Sequence, residues 1–137
     1  LIDDVRLEFK NGRVIKSSAT KNEKVLKEMI ATENADKVGE FSLTDKRFSR
    51  ITKFMAETLF DENVGGTHGN THIALGNAYH DCYNSDPSKL SKKDWERLGY
   101  NDSSVHTDIV STAPRTVTAY MKDGSTKVVY KNGQYVL

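Results

Sequence analysis

Three two-residue turns constrain this chain most. Asn11-Gly12, Asp123-Gly124 and Asn132-Gly133 each stand between short segments in which apolar and polar side chains alternate. Such pairs favour the positive φ values that tight hairpin turns need. Both ends of the chain therefore read as antiparallel β-structure. At the N-terminus, a strand over 4–10 is followed by a second through Val14 and Ile15. At the C-terminus, 116–121, 126–130 and 135–137 form a meander.

The middle is mixed. Thr20 and Glu23 have capping-box spacing, and Val25, Leu26, Met29 and Ile30 share one helical face. Residues 38–43 read as a strand. Residues 47–60 fit a helix with Phe48, Ile51, Met55 and Leu59 on one side. A glycine-rich loop over 61–70 follows, then a short strand over 71–75 and irregular chain to 90. Ser91, with Asp94 in the first turn, caps a short helix that Gly99 ends. Residues 104–112 read as a strand. The expected fold class is α+β: a mixed, β-rich single domain over 1–137, with two or three helices and a C-terminal antiparallel meander.

Composition narrows the function classes. Lys and Arg total 20 against 19 Asp and Glu, so the net charge is +1. That balance, with basic residues scattered among acids, argues against capture of nucleic acid or of an anionic membrane. Apolar runs are too short to span a bilayer. The opening residues, LIDDVRLEF, alternate and are acidic, unlike a signal peptide. They also start within a strand, which suggests a piece of a longer protein. The lone Cys82 excludes an internal disulfide and fits a reducing compartment.

The groups that can carry chemistry are few. His106 and Asp108 stand two apart on a strand, so their side chains leave the same face. They suit a divalent metal, although spacing alone favours the plainer reading, a His–Asp hydrogen bond on a sheet surface. Glu40 is a carboxylate in a weakly polar strand, either metal-bound or an outward edge residue. The preceding Gly39 allows a close backbone approach. Asp61-Glu62-Asn63 follows a predicted helix end, where acids oppose the macrodipole and a compensating cation is expected; a polar terminal turn is the alternative. His72 heads an apolar strand, as a ligand or as a hydrogen-bonded core residue. Tyr79 is structural or an oxyanion donor. His80 and Cys82 form an H-x-C pair without a matching second pair, and His68 reads as loop surface. Together Glu40, Glu62, His72, His106 and Asp108 suit two divalent ions sharing a bridging carboxylate.

Gly39-Glu40, FDEN at 60–63, HIALGNAY at 72–79 and SSVHTD at 103–108, in that order, resemble the thermophilic-type metalloaminopeptidase family, which includes aminopeptidase T, aminopeptidase S and PepS. The ending VTAYMKDGSTKVVYKNGQYVL is similar too. The resemblance implies a metal-dependent aminopeptidase that hydrolyses the N-terminal bond of peptides with a free N-terminus, using a water activated by two divalent metal ions, whether zinc, cobalt or magnesium. It implies that 1–137 is the C-terminal, metal-binding catalytic domain of a two-domain enzyme whose N-terminal domain is absent here. Glu40 matches the bridging carboxylate, Glu62 and His72 match further ligands, His106 and Asp108 the late ligand pair, and Tyr79 the catalytic tyrosine. It further implies a cytoplasmic homodimer.

Two departures stand out. VGGTHGNT lengthens the link between Asn63 and His72. The family's adjacent glutamates, one a ligand and one the general base, lie upstream of Leu1. The alternative is a non-catalytic metal-binding or interaction domain that keeps the scaffold without the base, or a plain α+β domain in which these residues are surface hydrogen bonders.

Overall fold

Asn11 and Gly12 have φ of 51° and 77°, and turn β1 (Arg6–Lys10) back onto β2 (Arg13–Ser18). Positive φ at both central residues matches the twist of the flanking strands. Lys10 faces Arg13 and Phe9 faces Val14, with a register shift between Glu8 and Phe9. This computed structural model describes residues 1–136, so the end of the expected last strand, Leu137, lies outside the described residues.

Helix α1 (Glu23–Ile30) buries Leu26. The expected capping box does not form. Asn22 is the cap residue, in a left-handed conformation, while the Thr20 hydroxyl donates to the Asp3 carbonyl and the Asp4 carboxylate. Thr20 thus stands two residues before the cap position, and its hydroxyl is engaged by the chain at Asp3 and Asp4 rather than by an N–H of its own helix. Helix α3 (Lys92–Arg97) does carry the expected box: Ser91 accepts from Asp94 N–H and the Asp94 carboxylate accepts from Ser91 N–H.

The helix expected over 47–60 is absent. Only α2 (Thr58–Asp61) is helical there. Local polar groups offer the backbone other partners. The Asp45 carboxylate accepts from Arg47 N–H, and the Ser49 hydroxyl accepts from Ile51 N–H while donating to the Asn63 carbonyl. Ala56, at φ 59°, is incompatible with a continuous helix. The apolar stripe that suggested the helix stays exposed, with Phe48 at 80% and Leu59 at 71%.

Strands β3 (Val38–Thr44), β4 (Asn70–Gly76) and β5 (His106–Ser111) form one sheet with β4 central. Strands β6 (Thr116–Tyr120), β7 (Thr126–Lys131) and β8 (Gln134–Tyr135) form the expected antiparallel meander. The fold class is thus the expected α+β. The chain divides into two compact units, Leu1–Phe41 with Ile73–Ile109, and Ser42–His72 with Val110–Leu137. The first is built around Leu26, Ala35, Ala74 and Leu75, the second around Val64 and Tyr130. Among the described residues, no helix is long and apolar enough to cross a membrane.

Candidate metal centre

In the first unit, the two-residue spacing of His106 and Asp108 on β5 puts His106 Nε2 3.6 Å from Asp108 Oδ1. Glu40, on β3, brings Oε2 to 3.6 Å from the same nitrogen. The three residues each offer one ligand atom within 4.8 Å of the others. The Asp108 side chain is 5% exposed and Glu40 31%, so the group is sealed on one side and open on the other.

The tautomer of His106 follows from its other nitrogen. Nδ1 lies 2.8 Å from the backbone oxygen of Asn77. A carbonyl only accepts, so Nδ1 carries the proton and Nε2 presents its lone pair to the two carboxylates. Asp108 Oδ1 is buried and, among the described residues, has no hydrogen-bond partner. A buried acceptor left unsatisfied costs about 1–3 kcal/mol, and more when charged. An imidazole lone pair and two carboxylates, one of them orphaned, form a donor set that fits a divalent cation.

Gly39 makes the approach of β3 possible. A Cβ there would overlap the backbone oxygens of Gly76 and Asn77. Tyr79 stands beside the group, 53% exposed, with its ring edge-on to His106 at a centroid distance of 5.0 Å.

The second unit holds Glu62 and His72 together. His72 is 2% exposed, and its Nδ1 lies 2.9 Å from the Glu62 backbone oxygen. The same logic puts the proton on Nδ1 and leaves Nε2 as the lone-pair nitrogen. A carboxylate oxygen of Glu62 and a ring nitrogen of His72 lie within 4.8 Å. Both histidines are thus oriented by a backbone carbonyl, a common support for ligating imidazoles.

Asparagines do the supporting, and the sequence reading missed them. Asn70 Nδ2 donates to the Glu62 and Val64 carbonyls at 2.9 and 2.7 Å, pinning the loop that holds Glu62. Its position two residues before His72, on the same face of β4, is the signal that could have found it. Asn101 is 6% exposed and has no comparable local signal. His80 packs rather than ligates, stacked 4.2 Å from Trp95, and Cys82 is exposed. His68 is half-buried in its loop.

Residues 1–135 match the thermophilic metalloprotease (M29) family. Aminopeptidase AmpS of Bacillus subtilis is 30% identical over 140 residues, covering 98% of this chain and 32% of that protein. Aminopeptidase 2 of Geobacillus stearothermophilus is 33% identical over 139 residues, with 98% and 32% covered. Wild-type AmpT from Thermus thermophilus superposes with a TM-score of 0.78 at 26% identity, covering 99% of this chain and 32% of that one. The chain thus spans roughly a third of the length of the relatives it matches.

Proposed function

Because the chain belongs to the thermophilic metalloprotease (M29) family, we propose that it is the metal-binding catalytic domain, over 1–137, of a longer two-domain aminopeptidase. The reaction is removal of the N-terminal amino acid from peptides with a free N-terminus. In this reading Glu40, His106 and Asp108 would hold a divalent ion, and the family resemblance assigns Glu40 as a shared carboxylate and Glu62 and His72 as further ligands. Zinc, cobalt and magnesium all suit such a mixed carboxylate and imidazole site. When bound, the ions supply Lewis acidity and lower the pKa of water.

The chain's own residues do the rest. Asn77 holds His106 with Nε2 toward the site. Asp108 contributes a buried carboxyl whose Oδ1, among the described residues, has no hydrogen-bond partner and is open to a cation. Tyr79, exposed beside His106, is the residue that would donate a hydrogen bond to the developing oxyanion. The reading extends to a cytoplasmic homodimer, as the family resemblance implies.

The observation that supports it best is the orphaned Asp108 Oδ1, 3.6 Å from a histidine nitrogen whose tautomer is set. The test is calorimetric titration of the metal-stripped full chain with cobalt, followed by cleavage of a short peptide with a free or an acetylated N-terminus. Two ions per chain are expected, with little or no cleavage by 1–137 alone, which in this reading lacks the general base, and cleavage of the free but not the acetylated peptide by the full-length protein. No cobalt uptake sinks the reading. Uptake of cobalt without cleavage, even in the full-length protein, selects instead the non-catalytic metal-binding domain.

A further inference from the structure

The backbone oxygen that orients His106 is itself held from the opposite side. Asn77 sits between two segments of the first unit. On one side its N–H donates to the Val105 carbonyl at 2.6 Å, and its carbonyl accepts from His106 Nδ1 at 2.8 Å. On the other side stands Asn101. Its side-chain Nδ2 donates to the Gly76 carbonyl at 2.6 Å, and its backbone carbonyl accepts from Ala78 N–H at 2.9 Å.

The geometry of the peptide unit gives this arrangement its meaning. The Asn77 carbonyl and the Ala78 N–H belong to one rigid plane and point in opposite directions. The Asn101 backbone carbonyl grips one edge of that plane and His106 Nδ1 the other. The Gly76–Asn77 plane is held in the same way, between Asn101 Nδ2 and the Val105 carbonyl. A second bond from Asn101 Nδ2, to the Asn34 carbonyl at 2.9 Å, anchors the amide. Two acceptors around Nδ2 also settle which end of this buried amide is nitrogen.

We infer that the Asn101 side chain is a positioning group for the metal centre: through the Gly76 carbonyl it fixes the Gly76–Asn77 peptide plane and, through the adjoining Asn77 carbonyl, the direction of His106 Nε2. The inference rests on the reading of His106 as a ligand. Groups that orient a ligating histidine typically contribute 10- to 100-fold in metal affinity. Acting at one remove, Asn101 contributes at the lower end.

The test uses the full chain with Asn101→Asp. This keeps the shape but replaces a donor to two carbonyls with an acceptor. Cobalt affinity is expected to fall about tenfold, and the visible absorption of bound cobalt to change shape. Leu26→Ala, buried in the same unit, is the matched control: it lowers thermal stability but leaves cobalt affinity and spectrum as in the parent. If Asn101→Asp behaves like Leu26→Ala, the inference is overturned. Should Asn101→Asp not fold, Asn101→Ser is judged by the same criteria.

A third measurement needs no variant. Nitrogen-15 NMR of the metal-free parent should show His106 with a slowly exchanging proton on Nδ1, and an Nε2-protonated tautomer overturns the inference. His106→Ala separates the two levels. If it leaves cobalt binding intact, the ligand reading itself fails. If it removes binding while Asn101→Asp changes nothing, only the positioning role fails.

Discussion

His106 Nδ1 lies 2.8 Å from the backbone oxygen of Asn77, and so its other nitrogen is the one that faces Glu40 and Asp108. The imidazole is aimed here by a main-chain atom, not by a neighbouring carboxylate, and Asp108 Oδ1 is without a hydrogen-bond partner among the described residues.

His106→Ala removes that aimed nitrogen. Cobalt affinity should fall by well over tenfold, since loss of a mere supporting group already costs about that much. His68→Ala, in the loop of the second unit, should leave it unchanged. Calorimetric titration of both variants decides, and equal effects would contradict the assigned roles.

Asp108→Asn tests the orphaned oxygen. In the metal-free chain the substitution removes a buried, poorly satisfied charge, so stability should rise by up to about 1–3 kcal/mol. The thermal stabilisation that cobalt gives the parent should vanish in the same variant. Melting curves with and without cobalt read both effects, and a variant still stabilised by cobalt counts against Asp108 as a ligand.

Gly39→Ala places a methyl group against the Gly76 and Asn77 oxygens. Overpacking of this kind costs about 1–3 kcal/mol. Because the displaced oxygen is the one that orients His106, cobalt affinity should fall along with stability. Urea unfolding and cobalt titration of one preparation measure the pair. Gly12→Ala is the contrast: its Cβ meets nothing within 4 Å, so only the strained turn should suffer.

Asp45 predicts a different pH response. It is 4% exposed and accepts from the Arg47 guanidinium, Arg47 N–H and Tyr135 N–H. The guanidinium above all, and the two N–H groups after it, hold this carboxyl well below the usual carboxylate range against the opposing effect of burial. The folded pKa lies below the unfolded one. The stabilisation is therefore complete above about pH 4, the ordinary carboxylate value, and is lost as the pH falls below it. Asp45→Asn should destabilise the chain by about 2–3 kcal/mol at neutral pH, with the gap to the parent shrinking on acidification. Urea midpoints at pH 7 and pH 3 check this, and a constant gap refutes it.

Where a short-range steric or hydrogen-bonding rule governs, the structure follows the sequence. Asn11-Gly12 turns because two adjacent residues accept positive φ. Ser91 and Asp94 cap α3 because three residues separate donor from acceptor. His106 and Asp108 share a face because a strand has a period of two. The failure at 47–60 has the same root: the apolar period reported a helix, but Asp45, Ser49 and Ala56 gave the backbone other conformations, and burial was not there to overrule them.

Tertiary structure alone decided the rest. Glu40 meets His106 from another strand, and Gly39 admits that approach only because the Gly76 and Asn77 oxygens lie against it. Asn101 reaches the Gly76 carbonyl across 25 residues, with no periodicity to announce it. The tautomers of His72 and His106 depend on backbone carbonyls at sequence separations of 10 and 29. Turn and strand periods are written in neighbouring residues because φ and ψ are local, whereas the aim of an imidazole is set by hydrogen bonds that exist only once distant segments have packed.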